Sequence, residues 1–285
     1  MRTVNYVERR TARSRGALAV MGGVILPRAR WNAWHSLPHV RRVTLFHPDL
    51  PAAFDGLRVV QVSDVHAGAF MPPARLHRVL EKVQSLRPDL VAFTGDQLDR
   101  RDLDAEIFVH GFAGIDAPLG VYGILGNHDH LAGAELAEAG LQAIGVIPLI
   151  NQSAVLERGR SRILLAGVDD PDGGPARGPD LAVLWRKTAD FRLLLCHQPK
   201  LWHEALAAGA HIMLAGHTHG GQIVLRSGRL NVARLGTPYV AGPYVRGDSI
   251  LYVSRGVGVG AIPIRYGVPP EIDYITLRRG LTAAY

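Results

Sequence analysis

The sequence predicts one α/β domain in which helices cover β-sheets on the outside. Two observations support this prediction. From residue 57 onward, short apolar runs typical of buried strands alternate with segments whose apolar residues recur at helical spacing. The 285 residues also include 47% hydrophobic and 20% charged residues, a composition typical of a globular protein. Functional groups of such folds collect at the carboxyl ends of the strands, so the residues that end each apolar run are the candidates for function.

The first half of this region alternates strand and helix. Strands are predicted at LRVVQVS, DLVAFT and VYGIL, because each is a short apolar run that ends in polar residues or glycine. A helix is predicted at PARLHRVLEKVQSL, where the leucine and valine residues between Leu76 and Leu86 recur at helical spacing. A second helix, AELAEAGLQAIG, is predicted to end at Gly145, since glycine commonly terminates helices.

The second half mixes helices with a larger number of strands. The segments SAVLE, RILLAG, FRLLLC and HIMLA are predicted to be strands, and LAVLWRKTAD and WHEALAAGA are predicted to be helical. The segments QIVL, SILYV and EIDYITLRR indicate a mainly β carboxyl-terminal part.

Five of the predicted strand ends carry carboxylate, imidazole or amide groups. These groups are Asp64 and His66; Asp96; Asn127, His128 and Asp129; His197; and His217 and His219. Each motif alone is common, because aspartate, asparagine and glycine are ordinary turn residues and a single histidine is often part of a core. Five such motifs, each at a predicted strand end, are hard to explain as turns, and together they indicate one site.

The residue types match a metal site. Imidazole, carboxylate and amide oxygen ligands suit zinc, iron, manganese and related divalent ions. Seven of the residues are candidate ligands: Asp64, His66, Asp96, Asn127, His197, His217 and His219. Seven ligands are too many for one tetrahedral ion, but they suffice for two ions if one carboxylate bridges them. Two ions roughly 3.5–4 Å apart are the usual arrangement for hydrolysis of phosphate esters.

The segment LAGHTHGGQ places two of these histidines close together. In an extended segment, residues two apart point the same way, so His217 and His219 are expected to face the site while Thr218 points away. The flanking glycines leave the backbone free to turn sharply and let a phosphate approach.

In this order the segments DVH, GDQLD, GNHD, CHQP and GHTH resemble the calcineurin-like metallophosphoesterase superfamily. The superfamily pattern is D-x-H, G-D-x-x-D, G-N-H-D/E, a lone histidine and G-H-x-H, and no position is missing here. The resemblance covers about residues 57 to 278. The later segments GHTHGGQ, YVSRGVG, PIRYG and PPEIDYITLR resemble a bacterial branch of membrane-associated phosphodiesterases, the YaeI/YkuE-like proteins.

The resemblance implies a four-layer α/β/β/α sandwich with a dimetal site at the carboxyl-terminal edge of the strands. It implies two divalent ions (Mn, Fe or Zn) and assigns a role to each residue. Asp64, His66 and His219 would hold the first ion, Asn127, His197 and His217 the second, and Asp96 would bridge them. His128 would lie over the substrate phosphate and protonate the leaving oxygen, and Asp129 would orient His128.

Positive charge is concentrated in the first 48 residues, which contain nine arginines and one acidic residue. The total charge of +7 therefore leaves the rest of the chain close to neutral, which argues against nucleic acid as a partner. We divide the chain into a basic leader, residues 1–48, and a catalytic domain, residues 49–285. The leader contains an uncharged run of eleven residues, GALAVMGGVIL, which is shorter than the about 20 residues needed to cross a bilayer.

The leader leaves two interpretations open, attachment to an anionic membrane surface or a targeting signal, and a disordered arm is the alternative to both. We expect a monomer associated with the cytoplasmic face of the bacterial inner membrane rather than an exported protein. The single cysteine, Cys196, fits a reducing compartment. The expected activity is hydrolysis of a phosphoester at that surface, on a lipid or lipid-linked substrate. The alternatives are a soluble nucleotide or nucleic-acid phosphodiesterase and a non-catalytic metal-binding scaffold.

Overall fold

The computed structural model describes residues 37–173, 178–225, 230–260 and 265–281. Most of the basic leader and all of its apolar run lie outside the described residues. Within the described part of the chain, none of the helices has the length and apolar character needed to cross a membrane.

The described residues alternate strands and helices as predicted. The strands are β1 (His39–His47), β2 (Leu57–Val62), β3 (Leu90–Thr94), β4 (Val121–Ile124), β5 (Ile147–Pro148), β6 (Gln152–Arg158), β7 (Ser161–Gly167), β8 (Phe191–Leu195), β9 (Ile212–Ala215), β10 (Val224–Leu225), β11 (Leu230–Asn231), β12 (Gly242–Arg246), β13 (Ser249–Val253) and β14 (Glu271–Arg279). The α-helices are α1 (Pro73–Ser85), α2 (Leu103–Phe112), α3 (Asn127–Ala132), α4 (Ala134–Ala143) and α5 (Trp202–Ala207). Single 3-10 turns occupy Ala52–Phe54, Leu181–Leu184, Pro199–Leu201, His219–Gly221 and Val232–Leu235.

Two mixed six-stranded sheets form the framework. The first has the order β1-β14-β2-β3-β4-β5, in which β2 to β5 are parallel and β14 is antiparallel to β2. The second has the order β12-β13-β9-β8-β7-β6, in which β13, β9, β8 and β7 are parallel. The strands β10 and β11 form a small separate hairpin.

The sheets pack face to face and helices cover their outer faces. In β3, Leu90 and Ala92 belong to the apolar cluster shared by both sheets, whereas Val91 and Phe93 pack with residues of α1, α2 and α4. This alternation follows from the two-residue period of a strand. Residues of β8 alternate in the same way between the shared cluster and a third cluster that includes α5. The result is the predicted four-layer α/β/β/α sandwich.

Three local expectations differ from the structure. The helix α2 was not predicted, because its ten residues carry apolar side chains on several faces and give no clear amphipathic pattern. The segment LAVLWRKTAD was predicted to be helical but forms only the 3-10 turn at Leu181–Leu184. The strand β12 lies in the segment GTPYVAGPYVRGD, for which the sequence predicted neither a strand nor a helix.

The strand β1 lies inside the segment assigned to the leader. Its residues His39 to His47 pair in parallel with Glu271 to Arg279 of β14, and this pairing places β1 at the edge of the first sheet. The boundary of the leader therefore differs from the expected residue 48, because residues 39–47 belong to the folded domain.

A pair of histidines lies at the opposite edge of the sandwich from the strand ends that carry the candidate site. The His211 ring stacks on Phe191 with centroids 4.7 Å apart, and the His47 ring packs edge-on against both rings. The Nδ1 atoms of both histidines accept backbone N–H bonds, from Asp49 at 3.1 Å and from Arg192 at 2.9 Å. Both rings are thus held as neutral acceptors between the two sheets.

Burial lowers the pKa of His211 to about 4, and the adjacent His47 lowers it further while the Asp49 carboxylate opposes the shift. Burial also lowers the pKa of His47, against the opposing carboxylates of Asp49 and Asp248. An unfolded histidine has a pKa near 6.5, so the unfolded chain binds more protons than the folded one in the window between the two values. Stability from this pair is present above about pH 6.5 and is lost as the pH falls toward 4.

We predict that His211→Asn makes the protein less sensitive to acid, because asparagine can still accept the Arg192 N–H but does not titrate. Between pH 7.5 and pH 5 the wild type should lose roughly 1–2 kcal/mol more unfolding free energy than the variant, measured by urea denaturation. His77→Asn is the matched control, since that side chain is 58% exposed on α1. Equal losses in wild type and His211→Asn would contradict this role.

Candidate metal centre

The carboxyl ends of strands from both sheets meet at one edge of the sandwich and bring the predicted residues together. The residues delivered there are Asp64 and His66 after β2, Asp96 after β3, Asn127 to Asp129 after β4, His197 after β8, and His217 and His219 after β9. The buried Gln61 side chain links the sheets at this edge, because its Nε2 donates to Thr94 Oγ1 and to the Ala215 carbonyl oxygen, each at 2.9 Å. These bonds hold the ends of β2, β3 and β9 in a fixed relation.

The backbone at this edge is unusual, because many of the candidate ligands have positive φ angles. The values are 54° at Asp64, 47° at His66, 55° at Asp96, 71° at His217 and 51° at His219. Residues other than glycine rarely adopt this left-handed conformation, and such strain persists only where the surrounding structure enforces it. The five angles turn the side chains sharply out of the strands and into the site.

The geometry of the GHTH segment therefore differs from the extended segment expected from the sequence. His217 and His219 are both left-handed, and His219 begins a 3-10 turn. Thr218 between them has φ −82° and ψ −15°, and its hydroxyl donates to the Val240 carbonyl oxygen at 2.6 Å. Both histidines still face the site and Thr218 still points away, but turns rather than strand alternation produce this arrangement.

One group of donor atoms comes from Asp64, His66, Asp96 and His219. One oxygen or nitrogen atom of each lies within 4.8 Å of the others, and all four residues are buried. The Nε2 atoms of His66 and His219 are 3.0 Å apart, and Asp64 Oδ1 is 3.4 Å from His219 Nε2. The main-chain N–H of His217 donates to the same Asp64 carboxylate at 3.0 Å, which orients it toward the group.

A second group of donor atoms comes from Asp96, His197 and His217, again within 4.8 Å of one another. Asp96 Oδ2 lies 3.2 Å from His197 Nε2 and 3.6 Å from His66 Nε2, so one carboxylate oxygen faces both groups. Asn127 joins the second group through Oδ1, which is 3.0 Å from His217 Nδ1. All seven sequence-predicted ligands therefore lie in two clusters that share Asp96.

Burial governs the protonation of most of these histidines. It lowers the pKa of His66 to about 3 and that of His217 to about 4, and it holds the pKa of His219 well below its usual value. His197 is the exception, since burial would lower its pKa but the adjacent Asp96 carboxylate raises it well above normal. The same pair holds the pKa of Asp96 well below its usual range despite burial.

These observations fit a divalent cation. His197 Nδ1 lies 2.7 Å from the Thr94 carbonyl oxygen and donates to it, so Nε2 is the ring nitrogen that faces Asp96 and that could bind a cation in place of its proton. This Nε2 atom is buried and has no hydrogen-bond partner among the described residues. An orphaned imidazole nitrogen beside a carboxylate shared by two clusters is the arrangement expected of a metal-ligand set.

Arg265 is a site residue that the sequence reasoning did not assign. Its buried guanidinium lies 3.1 Å from His219 Nδ1 and donates to the Gly258 carbonyl oxygen at 2.7 Å. Because a guanidinium can only donate, His219 Nδ1 accepts and the neutral ring carries its proton on Nε2, facing His66. A cation held by this Nε2 atom would take the place of that proton. The sequence signal that could have identified it is a charged arginine within the otherwise apolar segment AIPIRYG.

His128 lies at the start of α3 beside the shared carboxylate. Its main-chain N–H donates to Asp96 Oδ1 at 2.9 Å, and its ring Nδ1 lies 2.6 Å from the carbonyl oxygen of Asp99. The side chain is 14% exposed, so the ring can be reached from solvent. Asp99, the last residue of GDQLD, was not assigned a role from the sequence, although its motif was the signal.

Asp129 makes different contacts from those expected. Its carboxylate accepts the main-chain N–H groups of Leu98 and Gly126, each at 2.9 Å, and thereby ties the loop after β3 to the loop after β4. Burial, reinforced by the Asp96 charge, raises the pKa of Asp129 to about 7. The carbonyl oxygen of Asp99 makes the contact that orients the His128 ring. The resemblance had implied that Asp129 would do so.

Comparison with known proteins identifies the family of this chain. Residues 57–221 match the family model described as calcineurin-like phosphoesterase. The uncharacterized metallophosphoesterase YkuE of Bacillus subtilis (strain 168) is 32% identical over 237 residues, which covers 80% of this chain and 82% of the relative. A transmembrane protein with metallophosphoesterase domain from Danio rerio is 32% identical over 255 residues, and the match covers 85% of this chain but only 58% of that protein.

Among solved structures, TT1561 of Thermus thermophilus is 13% identical with a TM-score of 0.47, and the match covers 71% of this chain and 90% of that one. The family model spans more than half of the chain, and it includes every strand end that carries a candidate ligand. The chain belongs to the calcineurin-like phosphoesterase family.

Proposed function

We propose that this metal-dependent phosphoester hydrolase acts on a lipid or lipid-linked phosphoester at a membrane surface. The observation that carries the chemistry is the Asp96 carboxylate, whose Oδ2 faces imidazoles of both donor clusters. The proposed setting is supported by the basic leader and by relatives that are named transmembrane proteins.

In this proposal the two clusters hold two divalent ions. Asp64, His66 and His219 would hold one ion, Asn127, His197 and His217 would hold the other, and Asp96 would contribute to both. When bound, such ions stabilise negative charge on phosphoryl oxygens and lower the pKa of water toward about 7. The sequence and geometry are compatible with manganese, iron or zinc.

The protein's own groups position the substrate and move a proton. His128 is the proposed proton donor to the leaving oxygen, since it lies beside Asp96 without belonging to the seven-ligand set. With Nδ1 directed at the Asp99 carbonyl oxygen, the other ring nitrogen is free to face the substrate. Asp129 supports this placement indirectly, because it fixes the loop that carries His128 against the loop that carries Asp96.

The experiment that tests the activity is a screen of the manganese-loaded protein against phospholipids, nucleotide sugars, nucleotides and p-nitrophenyl esters. Hydrolysis of a lipid or lipid-linked ester in preference to free nucleotides would support the proposal. Preference for nucleotides or nucleic acid would favour the soluble phosphodiesterase alternative, and metal binding without hydrolysis would favour a scaffold.

We predict that Asp96→Asn loses more bound metal than any other single substitution in the site, because it removes one negative ligand from both ions. Elemental analysis after manganese loading and dialysis should give two ions per chain for the wild type and fewer than one for the variant. Asp116→Asn is the control, since Asp116 is exposed in the turn before β4 at the far edge. Two retained ions in Asp96→Asn would reject the bridging role.

We predict that His128→Ala keeps its metal ions but loses roughly 10²- to 10⁴-fold in turnover, the usual contribution of a general acid–base group. The loss should be smaller for an ester whose leaving group needs no proton, such as a dinitrophenyl ester. Metal content is measured beside kcat. A metal-free His128→Ala protein would make His128 a ligand and remove it from the proposed role.

We predict that residues 1–37 attach the enzyme to anionic membranes and are dispensable for chemistry. They contain seven of the nine leader arginines and both leader tryptophans. Each basic residue near an anionic leaflet contributes about 1 kcal/mol, and salt screens the attraction. A truncation should begin at Pro38, because a later start would cut into β1.

The truncated protein should hydrolyse a soluble ester as fast as the full chain does but should no longer sediment with vesicles that contain phosphatidylglycerol. Sedimentation of the full chain should weaken in high salt. Equal sedimentation of both proteins at low salt would reject the attachment, and release of a cleaved leader outside the cell would indicate export.

A further inference from the structure

A cavity of about 470 Å³ lies directly beside the second donor cluster. His217 and Thr218 form its wall toward the candidate metal centre, and Gln198 and Lys200 extend it along the loop that follows His197. A volume of this size is within the usual range for small-molecule sites. Since one wall is a proposed metal ligand, the cavity is placed to receive the organic group of a phosphoester bound at that centre.

We propose that this cavity binds the alcohol portion of the substrate as a neutral group with several hydroxyls, such as glycerol or a sugar, and that Asp172 and Lys200 determine this specificity. The proposal rests on the phosphoester hydrolysis proposed above and narrows its substrate to esters of polyhydroxy alcohols.

The polar groups of the cavity match vicinal hydroxyls. Lys200 Nζ lies 3.2 Å from Asp172 Oδ1, and about half of each side chain is exposed to the cavity and solvent. A carboxylate accepts from a hydroxyl and an ammonium donates to one, so adjacent hydroxyls can satisfy both at once. Thr237 accepts the Tyr239 N–H at its oxygen, which leaves its own O–H proton available to a ligand.

Hydrogen bonds from the protein hold the Asp172 carboxylate in place. Gln198 is buried, and its Nε2 donates to Asp172 Oδ2 at 2.7 Å and to Asp170 Oδ1 at 2.8 Å. Asp170 in turn accepts the main-chain N–H of Asp172 at 2.8 Å. Gln198 directly follows the candidate ligand His197 in the chain. The same loop therefore positions a residue of the metal centre and the Asp172 carboxylate. A pre-oriented acceptor loses little entropy when a hydroxyl binds to it.

The charge of the cavity disfavours a second phosphate. The positive Lys200 and the negative Asp172 lie 3.2 Å apart and offset each other in charge. The hydrogen bond from Gln198 holds the pKa of Asp172 below its usual range, so this carboxylate stays charged and cancels the attraction of Lys200 for a second anion. The remaining lining includes Pro199, Ala233 and Gly236, which offer only a small apolar floor suited to the C–H face of a polyol.

The test compares glyceryl and propyl esters, which differ only in the two hydroxyls, each as a phosphomonoester and as a p-nitrophenyl diester. The manganese-loaded full chain should prefer the glyceryl ester by about 10-fold or more in kcat/KM, the effect expected from hydrogen bonds to fixed polar groups. Asp172→Asn and Lys200→Met should each move this ratio toward one, chiefly by raising KM for the glyceryl ester. Pyrophosphate should be hydrolysed relatively faster by Asp172→Asn and more slowly by Lys200→Met.

The matched controls are Asp116→Asn and Lys82→Met, which change the same residue types at exposed positions away from the cavity and should keep the wild-type ratio. An equal rate for glyceryl and propyl esters in the wild type would overturn the subsite, and so would an unchanged ratio in both cavity variants. A wild type that binds manganese but hydrolyses none of the p-nitrophenyl esters would overturn the proposed function itself.

Discussion

The structure of the site depends on the burial of one carboxylate between imidazoles. Asp96 is almost fully buried, and a charge in that position is tolerated only because opposing groups surround it. Its Oδ1 accepts the His128 N–H, and its Oδ2 faces His66 and His197. Gly126 is required beside it, because a Cβ there would lie 2.3 Å from Asp96 Oδ1. The positions of two loops and of the proposed acid are therefore consequences of where this carboxylate lies.

The sandwich supplies the rigidity that the strained loops need. Left-handed residues cost about 1–3 kcal/mol each, and five of them occur among the candidate ligands. This strain energy is offset by the apolar cluster between the sheets and by polar contacts at the edge, such as the hydrogen bonds of Gln61 that join β2, β3 and β9. Gly216 shows how close this packing is, since a Cβ at that position would lie 1.9 Å from Ser63 Oγ. Both sheets must therefore be complete before the ligands can converge.

What the sequence could predict follows from the range of the interactions involved. Strand ends and helix α1 were predictable because alternation and helical spacing are local patterns, and the family motifs identified the seven clustered residues. The strand β1 was missed because only its pairing with β14, more than two hundred residues away, defines it. The contact of Arg265 with His219 was missed because it too is made by tertiary folding and leaves no local sequence pattern. The backbone of GHTH was misjudged, because tertiary contacts rather than local preference hold two histidines in a left-handed conformation.

The charges of the site indicate that a divalent cation would affect substrate binding as well as rate. Asp64, Asp96 and Asp99 bring three carboxylates to one buried edge, while burial keeps His66, His217 and His219 uncharged. His197 and Arg265 are the positive groups that oppose these carboxylates. His197 faces Asp96, and Arg265 contacts His219 and donates to the Gly258 carbonyl oxygen. These positive groups do not fully neutralise the three carboxylates. A phosphate dianion that approaches this edge would therefore be repelled, and the repulsion is strong at short range in a low-dielectric site. Added divalent charge would offset this repulsion, so we expect metal occupancy and substrate affinity to be coupled by the same burial that keeps these imidazoles neutral.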